Sequence, residues 1–201
     1  MIVVIDYGMG NLKSVVNGLK YLNIDCKISS DEKEIRESSK LILPGVGAFN
    51  KGMENLKASQ LDKIIIEEAR KGKPILGICL GMQLLFDKSY EIEETQGLSL
   101  INGEVVKFQC DAKIPHMGWN SLDFKKEDNI LYGTEEESFV YFVHSYYAEM
   151  QNKEEMVATC TYGGIEVPAI VRRENIIGMQ FHPEKSGDIG LNLLKNFKEL
   201  I

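Results

Sequence analysis

The chain has 201 residues, 44% of them hydrophobic and 26% charged, with a formal net charge of −7. That length suits one domain spanning residues 1–201 with a substantial core, and the composition excludes a disordered or fibrous chain. An acidic chain without a basic block has no electrostatic footprint for nucleic acid and none for an anionic membrane surface.

The first apolar run, Ile2–Ile5, has no positive stretch ahead of it and is cut off by Asp6. It reads as a buried strand rather than a secretion signal, and a cytoplasmic protein is expected. Leu12, Val15, Val16, Leu19 and Leu22 recur at helical spacing and predict an amphipathic helix over Asn11–Leu22. Cys26–Ser29 is a second strand, and Asp31–Ser38 a short helix capped by Ser30 or Asp31. Leu41–Leu43 is a third strand that stops abruptly in Pro44-Gly45-Val46-Gly47. Leu61–Arg70 is helical, with Gly72 and Pro74 as stop signals. Ile75–Ile78 is a fourth strand, and Gly81–Phe86 opens another helix. The longest apolar region, Pro74–Phe86, holds Gln83 and several glycines and falls short of the ~20 apolar residues that span a bilayer.

This alternation predicts an α/β fold, with a mostly parallel central sheet flanked by helices. In such sheets, sites form beyond the carboxyl ends of the strands. The glycine-rich breaks Tyr7–Gly10, Pro44–Gly47 and Cys79–Gly81 should therefore share one edge. The second half is richer in strands: Glu104–Phe108, Phe139–Val143, Met156–Tyr162, Ile165–Val171 and Ile176–Phe181. Gly163-Gly164 marks a hairpin, and Ile189–Leu200 is a closing helix. Antiparallel additions to the central sheet are expected there.

Four cysteines occur, Cys26, Cys79, Cys110 and Cys160. None forms a CxxC pair or has a histidine at metal-ligand spacing, so neither a disulfide framework nor a metal site is expected. Cys79 is set apart by its neighbours. Gly77-Ile78-Cys79-Leu80-Gly81 has the form of a nucleophile elbow, with cysteine in place of serine. The flanking glycines relieve clashes in a sharp strand-to-helix reversal. The helix N-terminus favours a thiolate there, and the Leu80 N–H is placed to donate to an oxyanion. The same residues also fit a buried cysteine in a glycine-flanked turn.

Gln180-Phe181-His182-Pro183-Glu184 closes a predicted strand. In extended chain His182 and Glu184 point the same way, so His182 could act as a base oriented by Glu184. A lone histidine is more often structural. Its pairing with an elbow cysteine favours the catalytic reading. Pro44–Gly47 could bring backbone N–H groups to an anion, or be only a tight turn.

Together these motifs resemble the class I (triad) glutamine amidotransferases, and within them the glutaminase subunits of imidazole glycerol phosphate synthases. The carriers are Asp6–Asn11, Leu43–Phe49, Gly77–Leu85, Pro115–Asn120, Tyr141–Tyr146 and Gly178–Ser186, so the resemblance runs through essentially the whole chain. It implies a flavodoxin-like fold and glutamine as substrate. Cys79 would be the nucleophile, with His182 and Glu184 as its partners. Leu80, Val46 and Gly47 would form the oxyanion hole, and Gly47, Gln83, Glu91, Ser145 and Tyr146 would hold glutamine. It also implies a heterodimer with a (β/α)8-barrel cyclase that receives the ammonia, through a surface near Asn11, Trp119, Tyr141 and Lys185. Trp119 could equally be a core aromatic, Gln83 an ordinary polar helix residue, and His116 and His144 structural or loop-positioning groups. No metal or cofactor is implied. The same chemistry serving a different synthase is the nearest alternative. A catalytically silent regulatory module with this fold is another. Related cysteine hydrolases share the elbow but lack the His-Pro-Glu ending.

Overall fold

The structure, a computed structural model, describes residues 1–201. The first half alternates as the apolar periodicity dictates. In order come β1 (Ile2–Ile5), α1 (Leu12–Tyr21), β2 (Cys26–Ser29), α2 (Glu32–Glu37), β3 (Lys40–Gly45), α3 (Phe49–Ala58), α4 (Leu61–Arg70), β4 (Ile75–Cys79) and α5 (Leu80–Gln83). Two short strands follow, β5 (Lys88–Ser89) and β6 (Thr95–Gln96), then β7 (Gly103–Lys107), β8 (His116–Ser121) and β9 (Asp123–Phe124). The chain ends with β10 (Phe139–His144), β11 (Tyr146–Met150), β12 (Met156–Tyr162), β13 (Ile165–Arg173), β14 (Ile176–Met179) and α6 (Gly187–Leu200).

Eight strands form the central sheet in the order β2-β1-β3-β4-β14-β13-β12-β9. The first five neighbours are parallel, and β13, β12 and β9 extend the sheet antiparallel. The 2-1-3-4 start is the flavodoxin-like order. Because β1, β3 and β4 are covered on both faces, they are continuous apolar runs. Their alternating side chains separate two cores. Val4, Ile42 and Leu76 pack with α1 and α6, whereas Val3, Ile5, Leu41 and Leu43 pack with α3 and α4. Each such side chain, fully removed from water, contributes about 1.5–3 kcal/mol.

Local chemistry sets the ends of the elements. Asn11 caps α1 by accepting from the Ser14 N–H at 3.3 Å, and Asp31, not Ser30, caps α2 by accepting from Glu34. Pro168 sits inside β13, where it cannot donate to a ladder. It is tolerated opposite a register irregularity between Met156 and Thr159 of β12.

Several expectations require correction. α5 is a single turn and does not run to Phe86. The Leu84 and Leu85 carbonyls accept from Leu98, Leu100 and Ile101 instead of continuing a helix. α3 was not foreseen, nor were β8 and β11. The strands at Gly103–Lys107 and Phe139–His144 do not join the central sheet. β7 lies in a four-stranded sheet, β11-β7-β5-β6, and β10 pairs only with β8 in a two-stranded ribbon. This ribbon lays its buried face, Val140, Phe142 and His144, against the body and leaves the other face outward.

The three glycine-rich breaks do share one edge. The Tyr7 hydroxyl donates to the Pro44 carbonyl at 2.8 Å, so the side chain of Tyr7 fills the crevice between the ends of β1 and β3. The β3–β4 pairing ends with Gly45 opposite Cys79. A side chain at Gly81 would stand 1.7 Å from the Leu43 carbonyl oxygen, which as backbone in the central sheet cannot yield. Gly81→Ala is therefore expected to cost about 2 kcal/mol or more in a denaturant titration, well above an ordinary surface substitution.

Candidate active site

β4 is buried along its whole length and ends on Cys79. The chain reverses there into α5. Cys79 takes φ 53° and ψ −111°, a left-handed conformation that L side chains avoid. The reversal is possible only because of what surrounds it. A Cβ on Gly77 would lie 2.7 Å from backbone atoms of Gly81 and Met82. The thiol is thereby held at the N-terminal end of α5 and at the carboxyl edge of the sheet.

β14, the neighbour of β4, delivers the second group. His182 follows it by three residues and is buried, 2% exposed. Its backbone is pinned from two sides. The His182 N–H donates to the Tyr141 carbonyl at 3.0 Å, and the Ser186 hydroxyl donates to the His182 carbonyl at 2.7 Å while accepting from the Tyr141 N–H. The His182 Nδ1 to Glu184 Oε1 separation is 2.9 Å. This contact does not arise from an extended chain, as the sequence suggested. Pro183–Lys185 is a 3₁₀ turn that curls Glu184 back beneath the imidazole. The Glu184 side chain is 1% exposed, so the pair is shielded from water.

That burial works against a charged imidazole and by itself would lower its pKa. The Cys79 sulfur and the Glu184 carboxylate outweigh it and raise the His182 pKa to about 9. The Nε2 atom has no hydrogen-bond partner, so Cys79 acts on it by proximity and charge without hydrogen-bond geometry. Tyr7, behind the elbow, is driven the other way: burial, with a contribution from Cys79, keeps its phenol firmly protonated.

Cys79 and His182 open into one cavity of about 360 Å³. Its wall includes every residue expected from the resemblance to shape an oxyanion hole or hold glutamine: Val46, Gly47, Leu80, Gln83, Glu91, Ser145 and Tyr146. Pro115, Val143 and His144 complete it. A larger, open depression of about 720 Å³ at Phe124–Tyr132 contains no cysteine or histidine.

Gln83 is not an ordinary surface residue of a helix. Its Nε2 donates both protons, to the Tyr146 carbonyl at 2.9 Å and to Gln180 Oε1 at 3.0 Å, leaving only Oε1 for a ligand. Glu91 accepts from the Phe49 N–H at 2.8 Å, at the start of α3, where Ala48 provides no side-chain cap. The other expected residues lie apart from the cavity. Asn11 and Lys185 are exposed. Trp119 is 56% exposed, which rules out a core role, and it meets half-buried Tyr141 edge-on.

Two residues were not singled out from sequence. Gln180 is fully buried and donates through Nε2 to Cys79 Sγ at 3.9 Å. Ser186 clamps the His182 loop. The available signal was a polar residue in an otherwise apolar buried segment, two positions before the histidine.

The chain belongs to the class-I glutamine amidotransferase family, whose profile matches residues 3–200. Solved structures of low identity share the fold: a structure titled "Crystal structure of glutamine amidotransferase" has a TM-score of 0.77 at 17% identity, covering 98% of this chain and 100% of that one. "Structure of PurLQS from Thermotoga maritima" has a TM-score of 0.76 at 20% identity, covering 98% and 96%. At closer range, the chain is 51% identical over 201 residues to the imidazole glycerol phosphate synthase subunit HisH of Bacillus cereus, covering 100% of this chain and 95% of that protein. It is 52% identical to the same-named subunit of Caldanaerobacter subterraneus subsp. tengcongensis, covering 100% and 98%.

The raised pKa of His182 links protonation to folding. The group is held above its ordinary value of 6.5, so its contribution to stability is complete below pH 6.5 and disappears as pH rises through about 9. The melting-temperature difference between the unsubstituted chain and His182→Asn should shrink across that window. A difference constant with pH would contradict the coupling.

Proposed function

We propose that this chain is the glutaminase subunit of an imidazole glycerol phosphate synthase, acting in histidine biosynthesis as one glutamine amidotransferase unit over its whole length. The observation that carries the reading is the convergence of Cys79 and His182 on one cavity of about 360 Å³, with His182 held by Glu184 at 2.9 Å. Similarity to the HisH subunits over the whole chain, at 51% and 52% identity, supports the pathway.

In this reading Cys79 Sγ attacks the side-chain amide carbon of glutamine. His182, held towards its charged form, already carries the proton of the thiol and gives it to the departing nitrogen, so the C–N bond breaks and ammonia leaves. Water, deprotonated by the same imidazole, then attacks the γ-glutamyl thioester. The C–S bond breaks, glutamate forms, and the sulfur leaves as thiolate beside the imidazole that now holds the proton of the water. Each attack places negative charge on the carbonyl oxygen. The Leu80 amide and the Val46–Gly47 loop, which line the cavity with Cys79, are the donors this reading assigns to that oxygen, and one such donor is typically worth ~10²–10³ in turnover. Gly47, Gln83, Glu91, Ser145 and Tyr146 surround the amino-acid end of the substrate.

Ammonia released into water is protonated and lost, so the acceptor belongs on a docked partner, a (β/α)8-barrel cyclase. The outward face of the β8–β10 ribbon supports a docking role. Met117, Trp119 and Phe139 are each more than half exposed and adjoin Tyr141. A large exposed aromatic within an apolar patch is a typical interface anchor. Asn11 and Lys185 extend this surface in the proposed complex. No helix is long and apolar enough to cross a membrane, and a cytoplasmic location accords with the biosynthetic role.

The decisive assay is glutamine hydrolysis with and without the cognate cyclase and its nucleotide substrate. Turnover should be low alone and rise strongly in the loaded complex, and high activity indifferent to the partner would contradict the proposal. Cys79→Ala should abolish glutamine-dependent synthesis while ammonia-dependent synthesis persists, and continued glutamine turnover would remove Cys79 as nucleophile. Trp119→Ala is expected to weaken cyclase binding by about 30-fold, measured calorimetrically, without altering the fold.

A further inference from the structure

Two buried histidines outside the proposed triad form a directed hydrogen-bond chain between the exposed ribbon and the cavity. His144 Nδ1 lies 2.8 Å from the Tyr146 carbonyl oxygen. A carbonyl only accepts, so this nitrogen carries a proton. His116 Nδ1 lies 3.0 Å from His144 Nε2, and His116 Nε2 lies 3.4 Å from Asn120 Nδ2. The orientation of Asn120 is fixed independently. Its Oδ1 accepts from the Ser121 N–H at 2.9 Å, and its Nδ2 donates to the Thr161 carbonyl at 3.0 Å. Asn120 therefore presents a donor to His116 Nε2, which must accept. The proton of His116 is then on Nδ1, directed at His144 Nε2, which accepts in turn. One assignment satisfies every contact, with both rings neutral and both protonated at Nδ1. Protonating either ring would set donor against donor.

The surroundings hold this arrangement. His116 and His144 are 2% and 6% exposed. His116 is stacked between Phe142 and Tyr162, at centroid distances of 4.6 and 3.9 Å. Burial holds the pKa of His116 down to about 4 and that of His144 down to about 3, which keeps both rings neutral. The chain ends on the Tyr146 carbonyl, which also receives the Gln83 amide.

We propose that His116 and His144 are positioning residues, both in the Nδ1–H tautomer, that fix the Tyr146 carbonyl and through it Gln83 in the wall of the substrate cavity. The proposal rests on reading that cavity as the glutamine site, because its kinetic consequence is a change in glutamine binding. Ring orientation would then matter more than ring volume. Asn120 lies between Trp119 and Ser121 on the ribbon, so the same chain ties the placement of the ribbon to the geometry of the pocket.

The first test needs no substrate. The full chain contains three histidines, so long-range ¹H–¹⁵N correlation of the ¹⁵N-histidine-labelled protein at about pH 7 resolves each ring. His116 and His144 should both show a protonated Nδ1 and an unprotonated Nε2. An Nε2–H tautomer or an imidazolium at either position overturns the proposal. The second test compares His116 variants in the full chain with cyclase present. His116→Leu should raise KM for glutamine roughly five- to tenfold, with kcat changed less than about twofold. His116→Asn, whose amide can replace the Nδ1–H donor, should restore KM to within about twofold. Equal KM effects of the two variants, or none from leucine, would refute the positioning role. Lack of glutamine hydrolysis by the unsubstituted chain in complex with the cyclase and its nucleotide substrate would instead refute the reading of the cavity, and the tautomer measurement would still decide the histidine assignment.

Discussion

The site depends on one backbone constraint, the reversal from β4 into α5 at Cys79. Holding a non-glycine residue at φ 53° costs about 1–3 kcal/mol, and the surrounding sheet must enforce it. It does so because β4 is flanked by parallel strands on both sides and is buried along both faces. The same parallel neighbours bring the remaining parts to the thiol. The loop after β3 approaches from one side and the segment after β14 from the other. A strained cysteine, a backbone loop and a buried histidine meet because their strands are adjacent, though they are far apart in sequence.

Around this elbow the polar groups are organised by hydrogen-bond direction. Gln180 links Cys79 to Gln83, and Gln83 reaches the Tyr146 carbonyl. From the opposite side Asn120, His116 and His144 reach the same oxygen. A carbonyl has two lone pairs, so both donors can be accommodated. The three histidines diverge in protonation for reasons of environment. His116 and His144 lack a carboxylate and are kept neutral by burial, whereas His182 faces Glu184 and Cys79 and is held towards its charged form. Buried unpaired polar groups are costly, so this connected network also specifies one arrangement of the pocket wall.

The ribbon of β8 and β10 joins the outside to this interior. Its outward face is apolar and aromatic, and its inward face carries His116 and His144. Its backbone at Tyr141 also grips the His182 loop and Ser186. Whatever binds the outer face bears on a two-stranded element with two separate connections to the site.

Much of this was written locally in the chain. Apolar runs and helical spacing determined β1 to β4 and the helices α1, α2, α4 and α6, since burial on both faces or one face follows directly from side-chain pattern. Gly77 and Gly81 marked the elbow because no other residue fits their contacts, and the motifs around Cys79 and His182 identified the chemistry. Tertiary structure decided what depends on non-local pairing. Sequence alone could not show that β7 and β10 leave the central sheet, that Leu84 and Leu85 turn their carbonyls to Leu98–Ile101, or that Trp119 faces solvent. The link from His182 to Glu184 was legible as a pair, but its geometry came from a 3₁₀ turn and not an extended strand. Gln180, Ser186 and the two neutral histidines acquired roles only once distant strands placed donors opposite acceptors, because a hydrogen bond's direction is fixed by its partner and not by its own residue.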